Sequence, residues 1–360
     1  MKNLGVINQH NGGLLMTLGK SGTTQISKPQ TKIPKRVTGN GIKIATKETL
    51  LNLSKKKLIT QSVVPKLVDV AREKGAFKRK QMYWNAYHCC ETVYSAAGSL
   101  YVDESKYCKT RICAICCGIR KADLIHKYLP VLIKWRQPYF VTLTIQSVPA
   151  DQLKKMVNDM LKAFSRIIEK YRKRNQRGRD IKLVGVKSIE CNFNPKEQWY
   201  NPHLHIIVAN KQMADILVNE WLSFWKTLTY EGAQYYRKVE DTEKDLIEVI
   251  KYSTKIFTRL DPKDKKKPKT ENPVLIYIAA IDNIVDALEP HRVFDRFGFN
   301  LPPIKRTKGN YTKLDVYKEW HFDIKKTDWL NVETAEPLSG YKPPPDLEGM
   351  LGYNMNLYLE

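Results

Sequence analysis

The stretch NPHLHIIVAN (201–210) decides how this chain is read. A β-strand alternates its side chains, so residues two apart share a face. His203 and His205 then stand side by side, while Leu204, Ile206 and Val208 take the opposite face. Either the pair is incidental, as many H-x-H pairs are, or it holds a metal ion. The flanking patterns bear on the choice.

Upstream, PYFVTLTIQ (138–146) is a β-branched and aromatic strand with Val141, Leu143 and Ile145 on one face and Thr142 and Thr144 on the other. Residues 151–174 carry Leu153, Met156, Val157, Met160, Leu161, Phe164, Ile167, Ile168 and Tyr171 at helical spacing. A turn at RGRD (177–180) leads into a strand, IKLVGVKSIE (181–190), and a loop precedes the histidine strand. A helix over 212–229, a strand at AQYYRKVE (233–240) and a helix at DTEKDLIEVIKYSTKIF (241–257) follow; 118–134 is also helical in spacing. The order β-α-β-β-α-β predicts an α+β fold, a ferredoxin/RRM-like antiparallel sheet of split β-α-β type. Its first and third strands are central neighbours and its helices cover one face. His203, His205, Thr142 and Thr144 are expected on the other, free face.

Composition narrows the partners. Against 37 acidic residues stand 61 Lys and Arg, a net charge of +24, and the pI is about 9.6. Such a balance points to a polyanion, nucleic acid first and an anionic membrane surface second. No apolar stretch approaches the roughly 20 residues of a membrane span, and MKNLGVINQHNGG lacks the apolar core of a signal peptide. The expectation is a soluble, cytoplasmic protein without a membrane partner. Residues 1–60 hold eleven basic residues and one acid, so 1–80 reads as a basic, largely flexible arm. A Cys-rich element occupies 81–120 and the main domain 121–300. A C-terminal extension fills 301–360, its tail acidic and marked by Pro343, Pro344 and Pro345.

Two imidazoles rarely hold a catalytic ion without a carboxylate. Glu190, ending the strand paired with the histidine strand, is the third ligand this pattern offers. Its facing is open, because it would share the histidine face with Val184 and Val186 unless a bulge intervenes. Two nitrogens and one oxygen with open positions suit Mg²⁺ or Mn²⁺, with zinc a further option. On the helix after the fourth strand, Glu248, Tyr252 and Lys255 fall within roughly 60° of one another. The apolar Leu246, Val249 and Ile250 face elsewhere. Surface helices carry such spacings too. Cys108, Cys113 and Cys116, with Cys90 or Cys89 upstream, have structural-zinc spacing, Cys90 being preferred and His88 an alternative ligand. Reduced core thiols are the plain alternative; Cys117 and Cys191 read as ordinary buried thiols.

Taken in order, FVTLT (140–144), P-H-L-H (202–205) and K-Y-S-T-K (251–255) resemble the three motifs of the HUH endonucleases. More closely they resemble the replication initiator (Rep) proteins of bacterial rolling-circle plasmids, from about Tyr87 to about residue 300. The run CKTRICAIC (108–116) is similar to that family's Cys-x4-Cys-x2-Cys element. One departure is Asn201, where many relatives have a further histidine. The resemblance implies a site-specific nicking and joining enzyme acting on plasmid origin DNA, single-stranded or hairpin, with host helicase and polymerase as further partners. Tyr252 would be the nucleophile that forms a 5′-phosphotyrosine and Lys255 would face the same phosphate. Glu248 would activate water for the closing cleavage. A relaxase normally places its tyrosine before the histidines and uses three of them. A single-tyrosine transposase would lack the cysteine run. A non-catalytic RRM-like binder would carry aromatics on the sheet face, where this chain has His and Thr.

Overall fold

The computed structural model describes residues 35–38, 42–43, 46–103, 107–251, 276–303, 311–352 and 355–356. Short strands β1 (Lys35–Thr38) and β2 (Ile42–Lys43) precede α1 (Lys47–Glu73) and α2 (Phe77–Tyr87). The expectation of a flexible arm over 1–80 is thus corrected from residue 47 onward. Thr46 caps α1 by accepting from the Thr49 amide. Val63, Val64, Leu67, Val68 and Ala71 pack with Tyr83 and Ala86 of α2. Basic residues at 55–57 mask this stripe in the sequence, yet Lys57 is itself buried, its Nζ donating to the Tyr87 and Cys89 carbonyls at 2.7 Å each. The hairpin β3 (Thr92–Ala96) and β4 (Ser99–Tyr101) turns through Ala97 and Gly98, both at positive φ (46° and 69°), as a two-residue hairpin that follows strand twist requires.

After α3 (Ala114–Leu132) comes the expected alternation: β5 (Tyr139–Thr144), α4 (Ala150–Gln176), β6 (Gly185–Asn194), β7 (Trp199–Val208), α5 (Lys211–Phe224), β8 (Tyr235–Lys238) and α6 (Thr242–Lys251). The β6–β7 hairpin extends to the Asn194–Trp199 pair, so β6 begins and ends later than the pattern predicted. Beyond lie β9 (Ile276–Tyr277), α7 (Ile278–Leu288) and β10 (Phe294–Phe297). The sheet order is β10-β6-β7-β5-β8, antiparallel throughout.

Val141, Leu143, Leu204, Ile206 and Val208 pack under α4 and α5, as expected. The other face is not free, a correction to helices on one side only. Phe140, Val186 and Ile207 pack there against Tyr128 and Leu132 of α3 and Leu246, Val249 and Ile250 of α6. Strands buried on both faces read as continuous apolar runs, which IIV (206–208) and YFV (139–141) do.

The C-terminal segment is no appendage. After β11 (Tyr311–Leu314), β12 (Lys318–Asp323) pairs with β3 and with β13 (Asp328–Asn331), giving a second sheet β13-β12-β3-β4-β2. The Asp328 carboxylate, buried, accepts from Ser54 Oγ of α1 and from Ser339 and Gly340 amides. Leu347 of α8 (Pro345–Gly352) joins the same core, and β14 (Met355–Asn356) pairs with β9. Between the units lies α7, packed on α1 and α4; its buried Asp282 accepts from Tyr83 Oη at 2.7 Å, Lys74 Nζ at 2.8 Å and Arg79 Nε at 2.9 Å. Among the described residues no helix is long and apolar enough to cross a membrane.

Candidate metal centre on the central strands

The register of β5, β6 and β7 sets Glu190 opposite His203, Ser188 opposite His205, and Thr144 and Thr142 opposite the same two histidines. Glu190 therefore shares the histidine face without a bulge. Val186 shares it too, absorbed into the second apolar cluster, while Val184 packs with the first. Glu190 Oε2 lies 3.2 Å from His203 Nε2 and 3.1 Å from His205 Nε2. Glu190 and His203 are buried and His205 half-buried, so these are not open-face side chains.

His203 Nδ1 lies 3.0 Å from the Asn201 carbonyl, which can only accept, so Nδ1 carries the proton. In the neutral ring the Nε2 lone pair then points at a carboxylate oxygen. His205 is oriented likewise, its Nδ1 3.2 Å from Thr142 Oγ1. Lone pairs converging on one point repel unless positive charge sits between them, a shared proton in the metal-free protein or a metal ion when one is bound. Imidazole ligands held through their second nitrogen are the usual arrangement around metals. The donor set fits a divalent ion. Burial pushes the Glu190 carboxyl up, but hydrogen bonds and charge from His203 and His205 outweigh it and hold the group below its usual range. Burial lowers His205, against Glu190, which keeps its imidazole neutral and able to donate a lone pair.

Asn201, the departure from the family pattern, donates its Nδ2–H to the Ile145 carbonyl at 2.9 Å and braces the end of β5. Glu248 is half-buried on α6, and its charge bears on His205. Ser188 Oγ holds the helix to the sheet by donating to the Val249 carbonyl at 2.7 Å. Tyr252 and Lys255, the remaining predicted site residues, lie outside the described residues.

A second constellation brings Cys89, Cys108, Cys113 and Cys116 together, with sulfurs within 4.8 Å of one another. This corrects the preferred ligand Cys90. Cys90 adopts φ 55°, and its carbonyl accepts from Trp329 Nε1 at 3.0 Å. Cys89 Sγ instead accepts the Cys108 amide at 3.4 Å, and Cys113 Sγ accepts the Cys116 amide at the start of α3. His88 is exposed and pairs with Glu91. Cys117 and Cys191 are buried apart from the cluster, and burial pushes the Cys117 thiol up to about 12. Four convergent sulfurs with backbone N–H···S bonds match a closed, tetrahedral metal site.

Residues 99–297, more than half of the chain, match the family model described as replication protein. "Protein rep" of Staphylococcus aureus is 29% identical over 198 residues, 49% of this chain and 83% of that protein. "Protein rep" of Streptococcus pneumoniae is 25% identical over 226 residues, 56% of this chain and 68% of that one. A further "Protein rep", from a Bacillus species, is 25% identical over 165 residues, covering 42% and 52% of the two chains. No solved structure matches. The match spans the cysteine run, the central strands and the helix that carries Glu248, and on it the chain belongs to the replication-protein family, the Rep proteins of bacterial rolling-circle plasmids.

Proposed function

We propose that this protein initiates rolling-circle replication by nicking and rejoining one strand of a plasmid origin through a 5′-phosphotyrosine. The observation that carries the reading is the convergence of Glu190, His203 and His205 on one point of the central strands, beside the helix that leads to Tyr252. The strand order β8-β5-β7-β6 follows the 4-1-3-2 order of ferredoxin/RRM-like sheets, which supports the HUH endonuclease fold.

Glu190, His203 and His205 hold Mg²⁺ or Mn²⁺, which when bound polarises the scissile phosphate. A phenol with an ordinary pKa near 10 is a weak nucleophile at neutral pH. Tyr252 loses its proton as its oxygen bonds to phosphorus, and the departing 3′ oxygen takes up a proton to leave a free 3′-OH. Lys255 stabilises the charge that develops on the phosphate. Glu248 takes a proton from water in the closing cleavage, so that one tyrosine serves a whole cycle. Cys89, Cys108, Cys113 and Cys116 hold a structural zinc. The free 3′-OH is taken over by host helicase and polymerase in the bacterial cytoplasm, and the net charge of +24 supports binding to the DNA backbone.

Supercoiled plasmid carrying the origin, incubated with the protein and Mg²⁺ or Mn²⁺, tests this. The expected product is a nicked circle with protein on its 5′ end, mapped by mass spectrometry to Tyr252 and absent in Tyr252→Phe. An adduct on Tyr235 or Tyr236, or nicking untouched by Tyr252→Phe, overturns the reading.

A further inference from the structure

A cavity of about 660 Å³ lies where the two units meet, between α2, the 108–112 loop, α3, β6 and α7. One wall includes Glu190 of the metal trio. Its apolar lining comes from Met82, Ile281, Ile284 and the rings of Phe193, Tyr277 and Phe294. Five cations, Lys78, Lys109, Arg111, Arg120 and Arg292, line it against two acids, Glu190 and Glu289.

Two of these cations differ in a telling way. Arg111 is spent on the fold, donating to the Leu288 carbonyl and, at the other nitrogen, to the His291 carbonyl, which ties the cysteine loop to the end of α7. Arg120 donates through Nη2 to the Lys109 carbonyl, but its Nη1 is buried with no hydrogen-bond partner among the described residues. Nη1 itself is closed to the cavity, so what Arg120 offers a ligand is the charge of its guanidinium at the cavity wall, and an anionic oxygen is the partner that meets it best. Apolar rings beside a wall of five cations suit one chemistry above others, a flat base carrying a phosphate. The volume falls within the range of pockets that enclose ligands of that size.

We infer that this cavity receives one nucleotide of the single-stranded origin, unstacked from its neighbours, with its base among Phe193, Tyr277 and Ile284 and its phosphate on Arg120. The inference rests on the nicking reading, since it takes the adjacent Glu190 to face the phosphate that is cut. Drawing a neighbouring nucleotide into the cavity would hold the strand in register over the metal trio and select against paired DNA, whose bases are not free to enter. Base stacking in such sites tolerates any base, so the cavity fixes position more than sequence.

The test reads binding alone. A single-stranded origin oligonucleotide is titrated in EDTA with wild-type protein, each nucleotide replaced in turn by an abasic unit. One position is expected to lose about tenfold in affinity. Ile284→Trp, which fills the cavity, and Arg120→Gln, which keeps its size, should each weaken the intact strand by roughly tenfold and erase the sensitivity at that one position. Lys162→Gln, an exposed cation on α4, controls for loss of one charge and should leave the profile unchanged. A flat abasic profile in the wild type overturns the inference. So does a sensitive position that survives in Arg120→Gln, or a free mononucleotide that competes as well as the strand does. Because no cleavage is involved, this answer stands apart from the Tyr252 adduct. Nicking without a sensitive position sinks the cavity alone, and a sensitive position without nicking sinks the catalytic reading alone.

Discussion

The sheet that carries Glu190, His203 and His205 takes four of its five strands from residues 139–238, each joined to the next by a hairpin or one helix. The second sheet pairs Thr92 with His321 and, through Ser54 and Asp328, ties residues 274 apart. The first is assembled by short connections, whose closure costs little entropy and whose pairing follows from alternation and helix period. The second closes loops of hundreds of residues and relies on point fastenings: four sulfurs, a buried Asp328, a buried Asp282. Local pattern secures the sheet of β5–β8, whereas specific long-range partners secure the unit beside it.

The largest expected effect follows from the cysteine fastening. Structural zinc is worth about 10–16 kcal/mol in isolated zinc-finger peptides, so on the proposed zinc reading its loss would outweigh any single contact in the second unit. Cys89→Ser should lose the metal, by elemental analysis, and speed hydrogen exchange in β3, β12 and β13 while β5 and β7 stay protected. Cys90→Ser should keep the metal. Equal metal content in the two variants would break the ligand assignment. Equal loss of protection in both sheets would break the comparison itself.

The unequal legibility of the two regions has the same physical root. Val141, Leu143, Leu204 and Ile206 declare a face because strand period is local, and α4 and α5 declare theirs by helix period. The sequence places Glu190 on the strand beside the histidines for the same reason but leaves its facing open, and the hairpin register sets it opposite His203. Cys89 could not be separated from Cys90, because the choice is made by one backbone turn at φ 55°. Nothing in β12 announces β3 as its partner, because nothing periodic links residues that far apart. The second helical layer was missed where Phe140, Val186 and Ile207 share a face with polar residues. The runs IIV and YFV are its local signs.

His203→Ala comes next. Removing the proposed ligand should abolish metal-dependent cleavage. Because His203 is buried at 5% exposure, it should also lower stability by about 1–3 kcal/mol by depriving the buried Glu190 of a partner. Nicking and thermal melting read the two effects. Cleavage retained with a lowered melting temperature would make His203 a core residue. A pH arm sharpens it in metal-free protein. His205 is lowered from 6.5, so the unfolded chain binds more protons below that pH and stability falls as pH drops from 6.5 towards the folded value. Glu190 is lowered from 4.5, and its contribution, present above 4.5, is lost as pH falls through its folded value. Both act in the same direction, and His203→Ala should flatten the lower step.

Asp328→Ala probes the other unit at a residue that belongs to neither candidate metal cluster. The carboxylate accepts from Ser54 and Ser339 hydroxyls and from the Trp329, Ser339 and Gly340 amides. Its removal leaves several buried donors unsatisfied and should cost about 3 kcal/mol. Limited proteolysis should then cut within 328–352 sooner, with origin nicking retained at permissive temperature. If nicking falls as steeply as stability, the two units are one cooperative body and the contrast between them applies to assembly alone.

The smallest effect concerns the helix caps, one in each region. Asn210 Oδ1 accepts the Met213 amide at 3.0 Å at the start of α5, and Thr46 Oγ1 accepts the Thr49 amide at 3.3 Å at the start of α1. Each satisfies a donor three residues away, so neither depends on the long-range joints. Asn210→Ala and Thr46→Ala should therefore cost alike, about 1 kcal/mol each, with faster exchange confined to the first turn of the helix concerned. Urea denaturation of both variants, read with hydrogen exchange, checks this. Equal and local costs would mean that α1 and α5 are equally well formed and that the regions differ only in how their parts are joined. A Thr46→Ala cost several times larger, spreading into β3 and β12, would mean that the end-built unit depends on its helices as much as on its sulfurs and carboxylates, and the comparison would fail at its base.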